Sequence, residues 1–247
     1  MPITRLNNFK IHYQNKREYH SLKREIFTQN IYQPNLEIDS SLGGLDLIIL
    51  DVGAHIGLAT LYFKWLYPKA HIIAIEPNLE SFQLLQQNIF ENNLENIDLY
   101  NLALDIKPGE TQLYIDKANE WLSNSSLLEN SWTNEEKTKA ITVKTQTLTY
   151  FINLIANSKL KKILKMDIEG LESEILFSAG DKLKVFSEII IEFHPTGLRQ
   201  AQPNRKQSIN KLIKQLESLD FKITLEKKNK EVKDKYHRGL IMIKAER

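Results

Sequence analysis

Two short segments combine acidic side chains and glycines in a pattern suited to holding a nucleotide-like ligand. The first is Leu50-Asp51-Val52-Gly53-Ala54-His55-Ile56-Gly57. Gly53 lets the backbone turn tightly and a ligand approach without a Cβ in the way, and Gly57 opens the next element. A dinucleotide pyrophosphate is usually faced by three glycines, spaced G-x-G-x-x-G. Here only Gly53 and Gly57 occur, with Asp51 just upstream. S-adenosylmethionine suits this pattern better, because it has no phosphate and its ammonium group needs an acceptor such as Asp51. The second segment is Ile75-Glu76-Pro77-Asn78. An acid at this place accepts from both ribose hydroxyls, and Pro77 fixes the turn. Read singly, Asp51 and Glu76 are ordinary caps at strand ends; together, at this spacing, they read as a nucleotide site. NAD is the alternative ligand, since a ribose-binding acid serves it too.

Two later segments carry proton chemistry: Lys165-Met166-Asp167-Ile168-Glu169-Gly170 and Ile191-Glu192-Phe193-His194-Pro195. Each follows an apolar run, and buried strands seldom end in so many titratable groups. Adjacent parallel strands lie about 4.8 Å apart, so the two ends can share one pocket. Asp167, Glu169, Glu192 and His194 there form a candidate general-base site. The same residue types can hold a divalent ion. One His with neighbouring acids is equally a proton-transfer site, so no metal ligand is assigned.

The elements that position these groups follow from the apolar pattern. Leu47 to Val52, Ala70 to Ile75 and Ile97 to Ala103 read as buried strands. Gly57 to Tyr67 and Leu79 to Glu91 between them read as helices. Strand and helix in alternation predict a doubly wound, mostly parallel α/β sheet. Thr111 to Ile115 and Ile141 to Thr145 read as a paired excursion at the sheet edge. The polar stretch 117–140 between them, with Trp121 and Trp132, has the length of an active-site lid. Further along, Thr147 to Ala156 reads as a helix, Lys162 to Met166 as a strand, Leu171 to Ser178 as a helix and Val185 to Glu192 as a strand. Gln207 to Leu219 is a helix, and Phe221 to Leu225 with Leu240 to Ile243 form a C-terminal antiparallel hairpin. The lysine-rich stretch 222–235 reads as a solvated edge, where lysines also discourage strand pairing. Residues 1–44 read as a partly helical N-terminal extension to a domain spanning 45–247, with Phe9 to Tyr13 a short strand and Lys16 to Thr28 an amphipathic helix.

The 247 residues, 42% of them hydrophobic and 26% charged, suffice for one domain with a sizeable core. Lys plus Arg number 33 and Asp plus Glu 31, so net charge argues for neither nucleic acid nor membrane as a partner. The absence of cysteine excludes disulfides, thiolate metal sites and a Cys nucleophile. With no signal peptide and no apolar run of membrane-spanning length, the expectation is a cytoplasmic protein acting on a small molecule.

In order along the chain, the motifs already quoted, together with Asn101-Leu102-Ala103-Leu104, Asn124-Ser125-Ser126-Leu127 and Ile190-Ile191-Glu192-Phe193-His194, resemble the FkbM family of methyltransferases over roughly residues 45 to 195. The resemblance implies a Rossmann-like class I methyltransferase fold. It also implies methyl transfer from S-adenosylmethionine, usually to a hydroxyl of a sugar or polyketide-like natural product. By that resemblance Asp51, Gly53 and Glu76 contact the cofactor and Ala103 lies beside the adenine. Ala54, His55, Gly57, Pro77 and Asp167 complete the cofactor set, and Asp167, Glu169 and His194 face the reaction centre. The family usually has Asn where His55 stands, and Thr-Leu-Asp where Thr147-Leu148-Thr149 stands, so Thr149 is assigned no role. The expected mechanism has a neutral His194, or Asp167, accepting the hydroxyl proton, with Glu192 or Glu169 orienting the pair. Three readings compete: an NAD-dependent oxidoreductase, which lacks its third glycine here; a base-amino methyltransferase, whose Asn/Asp-Pro-Pro-aromatic run is not Met166-Asp167-Ile168-Glu169; and a non-catalytic binding module, which would not need acids and His at the strand ends.

Overall fold

The computed structural model describes residues 2–37, 43, 46–116, 125–127, 138–194, 205–227 and 241–247. The apolar run at the first motif forms β3 (Leu47–Val52), buried along its whole length. Its side chains alternate between two cores. Leu47 and Ile49 face one with α2 (Leu58–Leu66) and α3 (Leu79–Glu91). Ile48, Leu50 and Val52 face the other with α4 (Leu148–Ile155), α5 (Glu172–Ala179) and α6 (Arg205–Ser218). A strand covered on both faces must be apolar throughout, as this one is. Burying each Ile or Leu contributes roughly 1.5–3 kcal/mol.

Beyond β3 run β4 (His71–Ile75) and β5 (Ile97–Tyr100), and on its other side β9 (Lys161–Met166) and β10 (Glu188–Phe193). With β11 (Lys222–Lys227) and β12 (Ile241–Glu246) they form a seven-stranded sheet of order β11-β12-β10-β9-β3-β4-β5. β5, β4, β3, β9 and β10 are mutually parallel. The chain winds outward from β3 through β4 to β5, then returns to lay β9 on the opposite side of β3. The winding therefore reverses between β3 and β9, and ligands of open α/β sheets bind at the carboxyl ends of strands flanking such a reversal. Both chemical motifs of the sequence end at that place.

The two C-terminal strands pair antiparallel, as expected, but β12 also pairs with β10 and so lies inside the sheet. Burial explains the order: Met242, Ile243 and Ala245 of β12 are buried, whereas Thr224, Leu225 and Glu226 of β11 are exposed at the edge. The excursion after β5 is a separate three-stranded sheet. Its strands are β6 (Ala103–Leu104), β7 (Gly109–Asp116) and β8 (Thr138–Gln146), with β7 antiparallel to β8. The expected single strand from Ile97 to Ala103 is thus two. Its break is held by Asn101, whose Nδ2 donates to the carbonyls of Glu76 and Pro77 at 2.9 and 3.1 Å.

At the N-terminus β1 (Ile3–Leu6) pairs antiparallel with β2 (Phe9–His12). Asn15 caps α1 (Lys16–Lys23) by accepting from the backbone N–H of Arg17 at 2.8 Å and Glu18 at 3.1 Å. The helix continues as a wider, π-type turn over Arg24–Thr28. Ile11, Tyr19, Ile26 and Tyr32 join the same core as Leu61 and Tyr62 of α2. Further on, the backbone N–H groups of Asn35 and Leu36 each donate to the buried Glu188 carboxylate at 2.9 Å. Among the described residues no helix is long and apolar enough to cross a membrane.

Candidate functional site

The turn after β3 is held by its neighbours on both sides. The N–H groups of Gly53 and Ala54 both donate to the Ile75 carbonyl at 3.0 Å. Gly53 has φ of 75°, and a Cβ there would overlap the Asp167 carbonyl oxygen. Gly53 is therefore required by the close packing of the β3 and β9 turns, whatever ligand binds. Gly57 caps α2 with φ of 91°, and a Cβ would come within 2.7 Å of Leu85 Cδ1 on α3. Its small size sets a helix–helix contact between α2 and α3.

Between these turns opens a cavity lined by residues of the turns after β3, β4 and β9. Glu76 ends β4 and lines it. Its Oε2 accepts from the His55 N–H and its Oε1 from the Asn78 N–H, both at 2.8 Å. A carboxylate has about four lone-pair sites, so capacity remains for two ribose hydroxyls. Burial pushes this carboxyl up to about 7 against the pull of those two N–H donors. Pro77 and Ala103 lie on the wall with Leu102, Leu104, Leu113 and Leu127, an apolar slot for a flat base. His55 also lines the cavity, with φ of 53°. That left-handed conformation is one that Asn and His adopt more readily than most residues, so the change from the family's Asn keeps the turn. Burial lowers the His55 ring, Glu18 at 3.6 Å opposes this, and neither ring nitrogen has a hydrogen-bond partner. Orphaned ring nitrogens, a carboxylate with spare lone pairs and an apolar slot fit S-adenosylmethionine.

Asp51 departs from the expectation that it meets the ligand's ammonium group. The strand alternation turns its side chain away from the cavity toward α2, where Thr60 Oγ1 donates to it at 2.7 Å. Lys165 Nζ on β9 lies 3.1 Å from its other oxygen. The same ammonium donates to the Gly53 carbonyl at 2.6 Å. Asp51 thus holds the turn through Lys165. Ala54 and Gly57 are likewise part of the turn's frame and not of the cavity wall.

At the floor, Asp167 and Glu169 line the cavity, while Glu192 and His194 lie behind them, buried. His194 Nε2 faces oxygens of Glu169 at 3.1 Å, Glu192 at 3.7 Å and Asp167 at 3.8 Å. Its Nδ1 is 2.8 Å from Glu172 Oε1 in the first turn of α5. Burial by itself would lower this imidazole, but Glu169 and Glu172, then Asp167, raise it to about 10. The expected neutral imidazole is therefore at odds with its surroundings: Glu169, Glu172 and Asp167 favour the charged ring. Glu169 is likewise raised well above the usual carboxylate range, first by burial and then by its acidic neighbours, against the pull of His194. Sequence reading missed Tyr32, Lys165 and Glu172. Tyr32 arrives from the N-terminal segment, and its hydroxyl bridges Asp167 Oδ2 at 2.8 Å and Glu192 Oε2 at 3.0 Å. No local pattern signals it, because its partners are distant in sequence. Of the stretch read as a lid, 117–124 and 128–137, including both tryptophans, lie outside the described residues. Between them Ser126 pairs with Tyr114 and donates through Oγ to the Glu169 carbonyl at 2.8 Å.

Comparison with known proteins agrees with this geometry. The chain is similar to "Methyltransferase 1" of Beauveria bassiana (strain ARSEF 2860), 28% identical over 180 residues that cover 68% of this chain and 70% of that one. It is also similar to "Methyltransferase sdnD" of Sordaria araneosa, 26% identical over 210 residues, covering 74% and 78%. A solved structure of a fibrillarin/Nop5p complex shares the fold at 16% identity and a TM-score of 0.51, over 99% of this chain and 97% of that one. The methyltransferase FkbM domain model matches residues 51–223, which takes in every turn that lines the cavity. The chain belongs to the FkbM family of methyltransferases, with S-adenosylmethionine as its cofactor.

Proposed function

We propose that the protein transfers a methyl group to a hydroxyl of a small molecule, of the sugar or polyketide-like kind. The observation that carries this is the continuity of the cavity. One wall offers Glu76 and an apolar slot, and the floor offers Asp167 and Glu169. When bound, S-adenosylmethionine supplies a methyl group on a sulfonium, whose sulfur keeps the bonding electrons as an acceptor oxygen attacks in line. This chain's task is to align that oxygen, which is a proximity effect, and to take its proton. Asp167 is the assigned proton acceptor, since it reaches the cavity while Tyr32 and the His194 cluster fix its carboxylate. A positioned base contributes typically about 10²–10⁴-fold.

The test is direct. Calorimetry should show S-adenosylhomocysteine binding and none of NAD, and a panel of glycosylated and polyketide-like alcohols should yield methyl ethers heavier by one CH2 unit. Tight NAD binding without S-adenosylhomocysteine binding would sink the reading. Methylation confined to amines would restrict it to methyl transfer and discard the hydroxyl.

A further inference from the structure

The floor of the cavity has chemistry that proton transfer does not need. His194 is fixed through Nδ1 by Glu172, leaving Nε2 directed at a space bounded by carboxylate oxygens. A carboxylate on one ring nitrogen with the other turned toward further ligands is the usual outer-shell arrangement of a metal-binding His. Asp167, Glu192 and His194 each offer one ligand atom, and these atoms lie within 4.8 Å of one another. Tyr32 takes the far oxygen of each acid, Asp167 Oδ2 and Glu192 Oε2. The near oxygens, Asp167 Oδ1 and Glu192 Oε1, are thereby held toward His194 Nε2 at 3.8 and 3.7 Å. Ligand atoms about 2.1 Å from a common ion can stand that far apart. A second observation is independent of this trio. Glu172 is only 1% exposed, yet its Oε2 has no hydrogen-bond partner. Buried carboxylate oxygens without donors are costly unless positive charge lies close by.

We propose that Asp167, Glu192 and His194 hold a divalent cation at the cavity floor. Two carboxylates with one imidazole suit manganese(II) or a similar borderline-hard ion. The ion would fill the position between Nε2 and the near oxygens, displacing the Nε2 proton to solvent as it binds. Asp167, the one ligand of the three on the cavity wall, would bring it within reach of the acceptor hydroxyl, whose proton it would make easier to lose. This role rests on the hydroxyl reading above; the binding does not.

The experiment uses the full chain and manganese(II) alone, followed by the loss of the free-ion electron paramagnetic resonance signal. The native protein should take up one ion. His194→Gln and Asp167→Asn should abolish uptake. Glu172→Gln, which touches the imidazole and not the ion, should weaken it by about 10–100-fold. Far-UV circular dichroism and a cooperative thermal melt of each variant check that it is folded. Tyr32→Phe, which keeps the ring and frees both carboxylates, serves as a further variant that should weaken uptake. No uptake by the native chain, or uptake unchanged in the folded variants, overturns the proposal. S-adenosylhomocysteine binding without manganese uptake would end this inference and leave the methyltransferase reading intact. Uptake with no methyl transfer to any alcohol would do the reverse.

Discussion

Glu76 is the residue whose environment makes the sharpest demand on solution behaviour. If Glu76 holds the cofactor's ribose, its carboxylate must be ionised to accept from two hydroxyls while serving two backbone N–H groups. Burial has raised its pKa to about 7, so in the free protein much of it is protonated just below neutrality. Cofactor affinity should then be flat above pH 7 and fall as pH drops through that value, by about tenfold from pH 8 to pH 6. Glu76→Gln should bind weakly at both values and lose the pH step. Glu76→Ala should cost roughly 1.5–3 kcal/mol of binding. Calorimetric affinities for S-adenosylhomocysteine that do not change between pH 6 and 8 would remove Glu76 from the ribose.

At the scale of elements, the β3 and β9 turns meet backbone to backbone, and Gly53 is the contact. A methyl group there collides with the Asp167 carbonyl, which cannot turn aside as a side chain can. An L-residue also resists positive φ, by roughly 1–2 kcal/mol. At Gly57 the obstacle is the end of the Leu85 side chain, which can rotate away. Gly53→Ala should therefore destabilise by at least about 2 kcal/mol, or about 4–8 °C in melting temperature for a chain of this size. Gly57→Ala should lose less. Thermal melts in the opposite order would show that the β3–β9 contact is looser than the structure has it. The elements themselves were legible where the pattern was strong: the buried runs became β3, β4, β9 and β10, and the helical spacing became α2 and α3. The π-type turn over Arg24–Thr28 was not legible, since Ile26 is apolar at a helical position in either case.

For the whole molecule, the N-terminal segment is tied to the sheet by core contacts and to the site by Tyr32. Removing residues 1–37 would uncover Leu61 and Tyr62, strip Glu188 of the Asn35 and Leu36 N–H donors, and release Asp167 and Glu192 from Tyr32. Leaving a buried carboxylate unpaired is among the most costly changes a fold can suffer. The shortened chain should fail to give a single cooperative melt. A truncation melting within a few degrees of the full chain would establish the segment as a dispensable extension.

What the sequence determined by itself was local. Apolar period and glycine placement specify strands, helices and the turns between them, because those preferences act over a few residues. The motif residues at the ends of β3, β4, β9 and β10 were legible for the same reason. Which side chains meet was decided by tertiary structure alone. Asp51 was read as a ligand contact and faces Lys165 and Thr60 instead, because strand alternation and the register of β3 on β9 set its direction. His194 was read as a neutral base, yet its surroundings favour the charged ring, because Glu172 and Glu169 converge on it from α5 and the turn before it. Tyr32 reaches Asp167 across 135 residues of chain. Contacts of that range follow from how layers pack, and a pattern of neighbours along the chain carries no record of them.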